Sequence, residues 1–90
     1  MVFRWDARKA AANRKKHGMD FHEAATVLGD TLSTTFPDTD HSSLELRFLT
    51  IGMSNRRRLL VVAHTEEGET LRIISARRAT RHERRFYEEG

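Results

Sequence analysis

Cysteine is absent from this 90-residue chain, and its absence excludes two kinds of structure. Without thiols there is neither a disulfide framework nor a thiolate zinc site. This is compatible with a reducing cytoplasm, where we expect the protein to act. The histidines at positions 22, 41 and 82 are not spaced as a metal-binding set. We therefore expect no metal and no cofactor.

Long apolar runs are also missing. None approaches the roughly 20 residues that a membrane-spanning helix needs. The first six residues lack the basic start and apolar middle of a signal peptide. Proline occurs once, at Pro37 in a polar loop. With 38% hydrophobic residues the chain can build one modest core, so we expect a single domain over residues 1–90 and no membrane partner.

Arginine is what the chain has in excess. The net charge is only +3 and the isoelectric point about 10.0, but the basic residues are clustered. Guanidinium groups stay protonated and fit phosphate oxygens, so such crowding indicates an anionic partner, most simply nucleic acid. Three arginines occupy positions 56–58, and five more fall within nine positions near the C-terminus: Arg77, Arg78, Arg81, Arg84 and Arg85.

Capping signals predict two N-terminal helices. Asp6 is a good N-cap for the Ala-, Lys- and Arg-rich segment 7–16, which Gly18 ends as a left-handed C-cap. Asp20 and Glu23 form a capping box before an apolar stripe at helical spacing.

A third helix is predicted at the C-terminus. Thr80 and Glu83 form a second capping box, which opens a helix that runs to about Glu89.

The remaining segments predict five strands joined by short polar turns. The segment 59–63 is apolar at every position, as expected for a central strand covered on both faces. We predict an α+β fold in the order β-α-α-β-β-β-β-α, with an antiparallel sheet, helices on one face and the other face open. The predicted strands are 2–5, 31–36, 46–53, 59–63 and 71–75.

Short motifs at both ends and in the middle of the chain form a recognisable combination. They are Trp5-Asp6, Lys9, Asn13, Lys16-His17-Gly18, Phe21, Ala24-Ala25, Glu45-x-Arg47, Ile51-Gly52, Arg72 to Arg77, Thr80, Glu83 and Tyr87. In their order and spacing they resemble the BrnT toxins, the toxin half of bacterial type II BrnT–BrnA toxin–antitoxin systems, and the resemblance covers nearly the whole chain.

The resemblance implies a RelE-like fold and a ribonuclease that needs no metal and arrests translation. It also implies a BrnA-type antitoxin that neutralises the toxin and supplies the contact with operator DNA. A toxin dimer within a heterotetramer is implied as well. One motif departs from the family pattern, since residues 54–58 replace an expected acidic-glycine turn with three arginines.

Metal-free RNA cleavage requires a base for the 2′-hydroxyl, cations for the phosphorane and an acid for the leaving oxygen. The candidates for these roles stand near strand ends, with His64 favoured as the acid or base. Glu83 is alternatively only a helix cap, and Tyr87 alternatively only a core residue. The candidate catalytic residues are Arg47, His64, Arg77, Glu83 and Tyr87.

The register of two hairpins decides which candidates meet. A two-residue turn at Glu67-Gly68 would place Arg77 on the same face as His64. A two-residue turn at Asn55-Arg56 would bring Arg47 to that face too. A three-residue turn would point Arg47 to the other face, where we expect a structural ion pair with a neighbour of Glu45 or with the acidic loop, residues 38–45.

A second group of basic residues is predicted to bind RNA. Three stand at the end of the first helix, where they also suit the helix dipole. Arg78 and Arg81 flank the start of the last helix, which favours phosphate, and Arg72 stands in the strand before it. The whole group is Lys15, Lys16, His17, Arg72, Arg78 and Arg81. The competing interpretation is a non-catalytic module that binds nucleic acid or a partner and acts as a co-repressor with its antitoxin.

Overall fold

The computed structural model describes residues 1–40 and 45–89, so residues 41–44 of the predicted polar loop lie outside the described part. Within that part the elements follow the predicted order. They are β1 (Val2–Arg4), α1 (Ala7–His17), α2 (Phe21–Val27), β2 (Thr34–Pro37), β3 (Phe48–Met53), β4 (Leu59–Glu67), β5 (Thr70–Arg78) and α3 (Arg81–Glu89). None of the helices described is long and apolar enough to cross a membrane.

The strands form one five-stranded sheet in the order β1-β5-β4-β3-β2. The apolar β4 lies at its centre, as predicted, and is buried from Leu59 to Thr65. The expectation of a purely antiparallel sheet is wrong, because β1 pairs in parallel with β5. The two helices carry the chain from β1 at one edge to β2 at the other, so no hairpin fixes the direction of β1.

The main core lies between one face of the sheet and the first two helices. Leu60 and Val62 of β4 pack there against Phe21, Ala24 and Val27 of α2. A side chain at Gly52 would meet Val27 at 2.9 Å, so the glycine lets α2 approach β3 closely.

The last helix covers part of the opposite face, which we expected to stay open. Ile51, Leu59 and Val61 form a smaller core there, against which Tyr87 of α3 packs. The helices therefore lie on both faces, because the apolar side chains of the central strands point both ways.

The loop between β3 and β4 settles the first uncertain register. Met53 pairs with Leu59, and the Ser54 N–H donates to the Arg58 carbonyl at 2.9 Å. Three residues, 55–57, therefore form the turn, and Arg57 takes the left-handed conformation at φ 60° that such hairpins require. The three-residue alternative is confirmed: Phe48 pairs with His64, and Arg47 belongs to the other face.

A β-bulge in β5 decides the second register. The turn is Gly68–Glu69, not Glu67–Gly68, and His64 pairs with Ile73. Ala63 then pairs with Ser75, so Ile74 is an extra residue in β5. Because side chains alternate between faces, one extra residue moves all that follow to the opposite face. The expectation that His64 and Arg77 share a face is therefore wrong.

Glu23 does not complete the capping box that was predicted for α2. Asp20 alone caps the helix, through its Oδ1 and the His22 N–H at 2.6 Å. The buried Glu23 carboxylate instead accepts from Ser54 Oγ at 2.6 Å and from Arg58 Nε at 2.9 Å. These bonds hold the pKa of Glu23 below its usual value and fasten the basic loop to α2.

Candidate active site

A polar groove lies on the sheet face that carries α3, beside the first turn of that helix. We call it the arginine groove, a cavity of about 310 Å³. The Asp38 N–H donates to the Arg47 carbonyl at 2.8 Å and so joins the acidic loop to the start of β3. The groove is lined by Asp38, Asp40, Arg47, Leu49, Ala63, Ile74, Ser75 and Arg77.

Arg77 is held in this groove by a carboxylate of α3. Its Nη1 and Nη2 atoms donate to Glu83 Oε1 and Oε2 at 2.7 and 2.8 Å, a bidentate pair. The Arg77 side chain is 38% exposed, so it remains accessible from the groove. The hydrogen bonds to Glu83 raise the pKa of Arg77, which is a permanent cation in the site.

Glu83 has two tasks at once. The predicted capping box is confirmed, since the Thr80 N–H donates to Glu83 Oε1 at 2.8 Å and the Glu83 N–H donates to Thr80 Oγ1 at 3.2 Å. Hydrogen bonds from Arg77 lower the pKa of Glu83 to about 2. A carboxylate with so low a pKa is a weak base, so the geometry suits orientation of Arg77 better than proton abstraction.

A second groove lies on the other side of the bulge in β5, against α1. We call it the lysine groove, a cavity of about 220 Å³. No carboxylate lines it among the described residues, and Ile74 and Ser75 line both grooves. The lining consists of Lys9, Ala12, Asn13, Lys16, His17, Ile74 and Ser75.

Asn13 fixes the helix that carries this groove. It is buried, and its Nδ2 donates to the Ala76 carbonyl at 2.8 Å while its Oδ1 accepts from the Ala76 N–H at 3.0 Å. A third bond runs from Nδ2 to the Met19 carbonyl at 3.0 Å. The side-chain amide thus satisfies the N–H and carbonyl groups of Ala76 at the edge of β5, as a neighbouring strand would.

His64 lies away from both grooves. Its side chain is fully buried, its Nε2 is 2.7 Å from Thr50 Oγ1, and its ring stacks on Phe48 with centroids 5.9 Å apart. Its Nδ1 has no hydrogen-bond partner among the described residues, and burial lowers the pKa of the ring. The sequence analysis predicted the His64 imidazole near Arg77, but the bulge in β5 places the two side chains on opposite faces of the sheet.

Tyr87 anchors α3 and does not line either groove. Its hydroxyl donates to Asp30 Oδ2 at 2.6 Å, and that carboxylate also accepts from the Met53 N–H at 2.8 Å. The bond to Asp30 raises the pKa of Tyr87 to about 12, so the phenol stays protonated at neutral pH.

The other residues predicted to bind RNA do not lie together in the structure. Arg72 pairs with Glu45 in a separate cleft on the arginine-groove side of the sheet. Arg78 and Arg81 are exposed at the junction of β5 and α3. Lys15 is exposed in the last turn of α1 but does not line the lysine groove, whereas its neighbours Lys16 and His17 do.

Lys9 and Ser75 line the grooves but were not predicted as functional. Lys9 lies four residues before Asn13 and Lys16 three residues after it, a spacing that puts all three on one helix face. That signal was available in the sequence. Ser75 faces the arginine groove because of the bulge in β5, and no local sequence pattern predicted that bulge. Within residues 1–40 and 45–89, no three His, Asp or Glu side chains are grouped so as to hold a metal ion.

Comparisons with known proteins agree with this architecture. A crystal structure of the Brucella abortus ribonuclease toxin BrnT resembles the chain with a TM-score of 0.69 and 28% identity, over 90% of this chain and 100% of that one. A search of curated proteins gives no significant match. The family model described as the ribonuclease toxin BrnT of type II toxin–antitoxin systems matches residues 5–83. The chain therefore belongs to the BrnT family of ribonuclease toxins.

Proposed function

We propose that the protein is a metal-independent endoribonuclease whose catalytic centre is the arginine groove. The observation that carries this proposal is the joint presence of Arg47 and Arg77 beside Ser75 in one accessible cavity. In the reaction the RNA 2′-hydroxyl loses its proton to a base and attacks the adjacent phosphate. The P–O5′ bond breaks, the 5′-oxygen leaves with a proton from an acid, and a 2′,3′-cyclic phosphate remains. Cleavage stops translation and growth. Two guanidinium groups can neutralise the phosphorane without a metal ion.

Arg77 is the principal phosphate ligand in this proposal, and Glu83 is its positioning residue. The bidentate pair leaves the guanidinium pre-oriented at the groove, so little reorganisation accompanies phosphate binding. Arg47 approaches from the start of β3 and supplies the second cation. Tyr87 keeps α3 in place through Asp30, and we assign it no step in the chemistry.

His17 replaces His64 as the proposed proton-transfer group. A general acid or base must come within hydrogen-bond reach of the substrate, which the fully buried His64 does not allow. Among the described residues, His17 is the imidazole that lines either groove, and its groove meets the arginine groove at Ser75. Imidazole suits proton transfer near neutral pH.

Family membership also supports the proposed partners. As a type II toxin, the protein would be neutralised by a BrnA-type antitoxin, through which alone the complex would contact operator DNA. A toxin dimer in a heterotetramer, a RelE-like classification of the single domain and action in the cytoplasm complete the proposal. Charge complementarity between the basic grooves and an acidic antitoxin segment would speed association.

The test is cleavage of a single-stranded RNA by the purified protein in EDTA. We expect Arg77→Gln to lower the rate roughly 10²- to 10³-fold, because it removes a pre-oriented cation from the developing charge. Glu83→Gln keeps the guanidinium and should lose only about 10-fold. His17→Gln should lower kcat with little effect on RNA binding.

Arg85→Gln and His82→Gln are the matched controls, since neither residue lines the two grooves. Thermal unfolding of every variant separates lost activity from lost fold. Full activity in Arg77→Gln, or cleavage that EDTA abolishes, would contradict the proposal. Salt-sensitive RNA binding without any cleavage would favour the co-repressor alternative.

A further inference from the structure

The two grooves meet at a short stretch of the outer edge of β5. The neighbouring strand β1 ends at Arg4, opposite Arg72. Further along β5, the side chain of Asn13 forms hydrogen bonds with the backbone of Ala76. Ile74 and Ser75 lie between these two partners, pair with no outer strand among the described residues, and line both cavities. The bulge therefore lies where the arginine groove and the lysine groove adjoin.

The lysine groove carries two cations and, among the described residues, no carboxylate in its lining. Lys9 and Lys16 supply the charges. The carboxylate at this end of α1 is the N-cap Asp6, whose Oδ1 accepts from the backbone N–H groups of Arg8 and Lys9. The arginine groove, by contrast, also contains Asp38 and Asp40. A groove lined by lysines and by no carboxylate suits a polyanion backbone, while the mixed groove suits one oriented phosphate.

Asn13 sets the direction of the two lysines. Its three hydrogen bonds fix the rotation of α1 about its axis. Lys9 and Lys16 are then aligned along the helix, one on each side of Asn13, and seven residues correspond to about 10 Å of helix. That length accommodates more than one phosphate of an extended single strand.

We propose that a single RNA strand crosses the edge of β5 at Ser75, with its reacting phosphate in the arginine groove and its adjoining backbone on Lys9 and Lys16. The inference rests on the proposed ribonuclease function and extends the substrate site to a face of α1. RNA is favoured over an acidic protein segment because the lysine surface continues directly into the proposed catalytic groove.

The test measures binding of a short 2′-O-methyl RNA, which cannot be cleaved, as a function of salt. We expect the double variant Lys9→Gln/Lys16→Gln to bind roughly 10-fold more weakly. Its plot of log K against log salt should be less steep by about 1.4, the contribution of two phosphate contacts on a single strand.

The matched control is Arg8→Gln/Lys15→Gln, which removes two charges at the same spacing from the neighbouring helix face. Both control residues are exposed and outside the lysine groove. We expect a change in salt slope well below that of the Lys9/Lys16 pair.

Equal effects of the two double variants on RNA binding would overturn the proposed path, because the loss of affinity would then reflect overall charge and not the position of the lysines. Unchanged RNA binding with weakened antitoxin binding in Lys9→Gln/Lys16→Gln would also overturn it. The ribonuclease proposal is judged separately, by wild-type cleavage in EDTA and its loss in Arg77→Gln. A failed path can therefore be told apart from a failed catalytic assignment.

Discussion

At the scale of single residues, partners decide what each charged side chain does. Arg58 is neutralised by Glu23 and fastens a loop, while Arg77 is held by Glu83 at the mouth of a groove. The sequence presents both as members of arginine clusters. Their different roles follow from burial and partner geometry, which local sequence does not specify.

His64 makes stability depend on pH. Burial lowers the pKa of its ring in the folded state, while the nearby Glu66 opposes that shift. The unfolded chain therefore takes up a proton first, so stability is full above the unfolded pKa of about 6.5 and falls as pH decreases below it. We expect urea unfolding to show this loss between pH 7 and 5.5, with a slope of at most about 1.4 kcal/mol per pH unit.

His64→Gln should flatten this pH dependence, because glutamine does not titrate, and His82→Gln should leave it intact. The carboxylates with lowered pKa values, including Glu83, add their own loss of stability only below about pH 4.5. If the free energy of unfolding of His64→Gln varied with pH between 7 and 5.5 as steeply as that of the wild type, His64 would not be the source of the pH dependence.

At the scale of elements, the side-chain amide of Asn13 joins α1 to β5. α1 exposes most of its surface, and Asn13 is its buried residue. The helix is therefore positioned more by three hydrogen bonds than by a wide apolar stripe. This explains how a strongly basic helix packs against the sheet edge.

Asn13→Ala should destabilise the protein by roughly 2–4 kcal/mol, because it leaves the N–H and carbonyl of Ala76 buried without partners. Chemical denaturation measures the change, with Lys15→Ala as an exposed control expected within about 0.5 kcal/mol of wild type. A loss of stability for Asn13→Ala no larger than that of the control would contradict this role. It would show that water or a shift of α1 provides partners for the backbone groups of Ala76.

At the scale of the whole molecule, stability is unevenly distributed between the two faces of the sheet. The face under α1 and α2 carries the larger core, and α2 alone buries four residues. The smaller apolar cluster under α3 has three buried residues of the sheet among those described, and α3 has none of its own. The proposed catalytic groove therefore borders the least anchored helix.

We expect hydrogen exchange to report this difference. Amides of α3 should exchange about 10-fold or more faster than those of β4, because α3 can open without exposing the main core. Tyr87→Phe removes the bond to Asp30 and should accelerate exchange in α3 while leaving β4 unchanged. Equal protection of α3 and β4 would mean that the two faces unfold together.

The sequence by itself determined the order of the elements, most helix ends and the family. Caps such as Asp6, Gly18 and Thr80 act within a few residues, and the apolar run of β4 marks a central strand wherever it is placed. Local rules therefore predicted these features correctly.

Only the tertiary structure decided which candidate residues meet. Strand side chains alternate with a period of two, so the extra residue Ile74 was enough to separate His64 from Arg77 and to bring Ser75 to the grooves. The parallel pairing of β1 with β5 and the docking of α3 on the second face depend on contacts between distant segments. Such contacts are set by packing of the whole chain, and no short stretch of sequence encodes them.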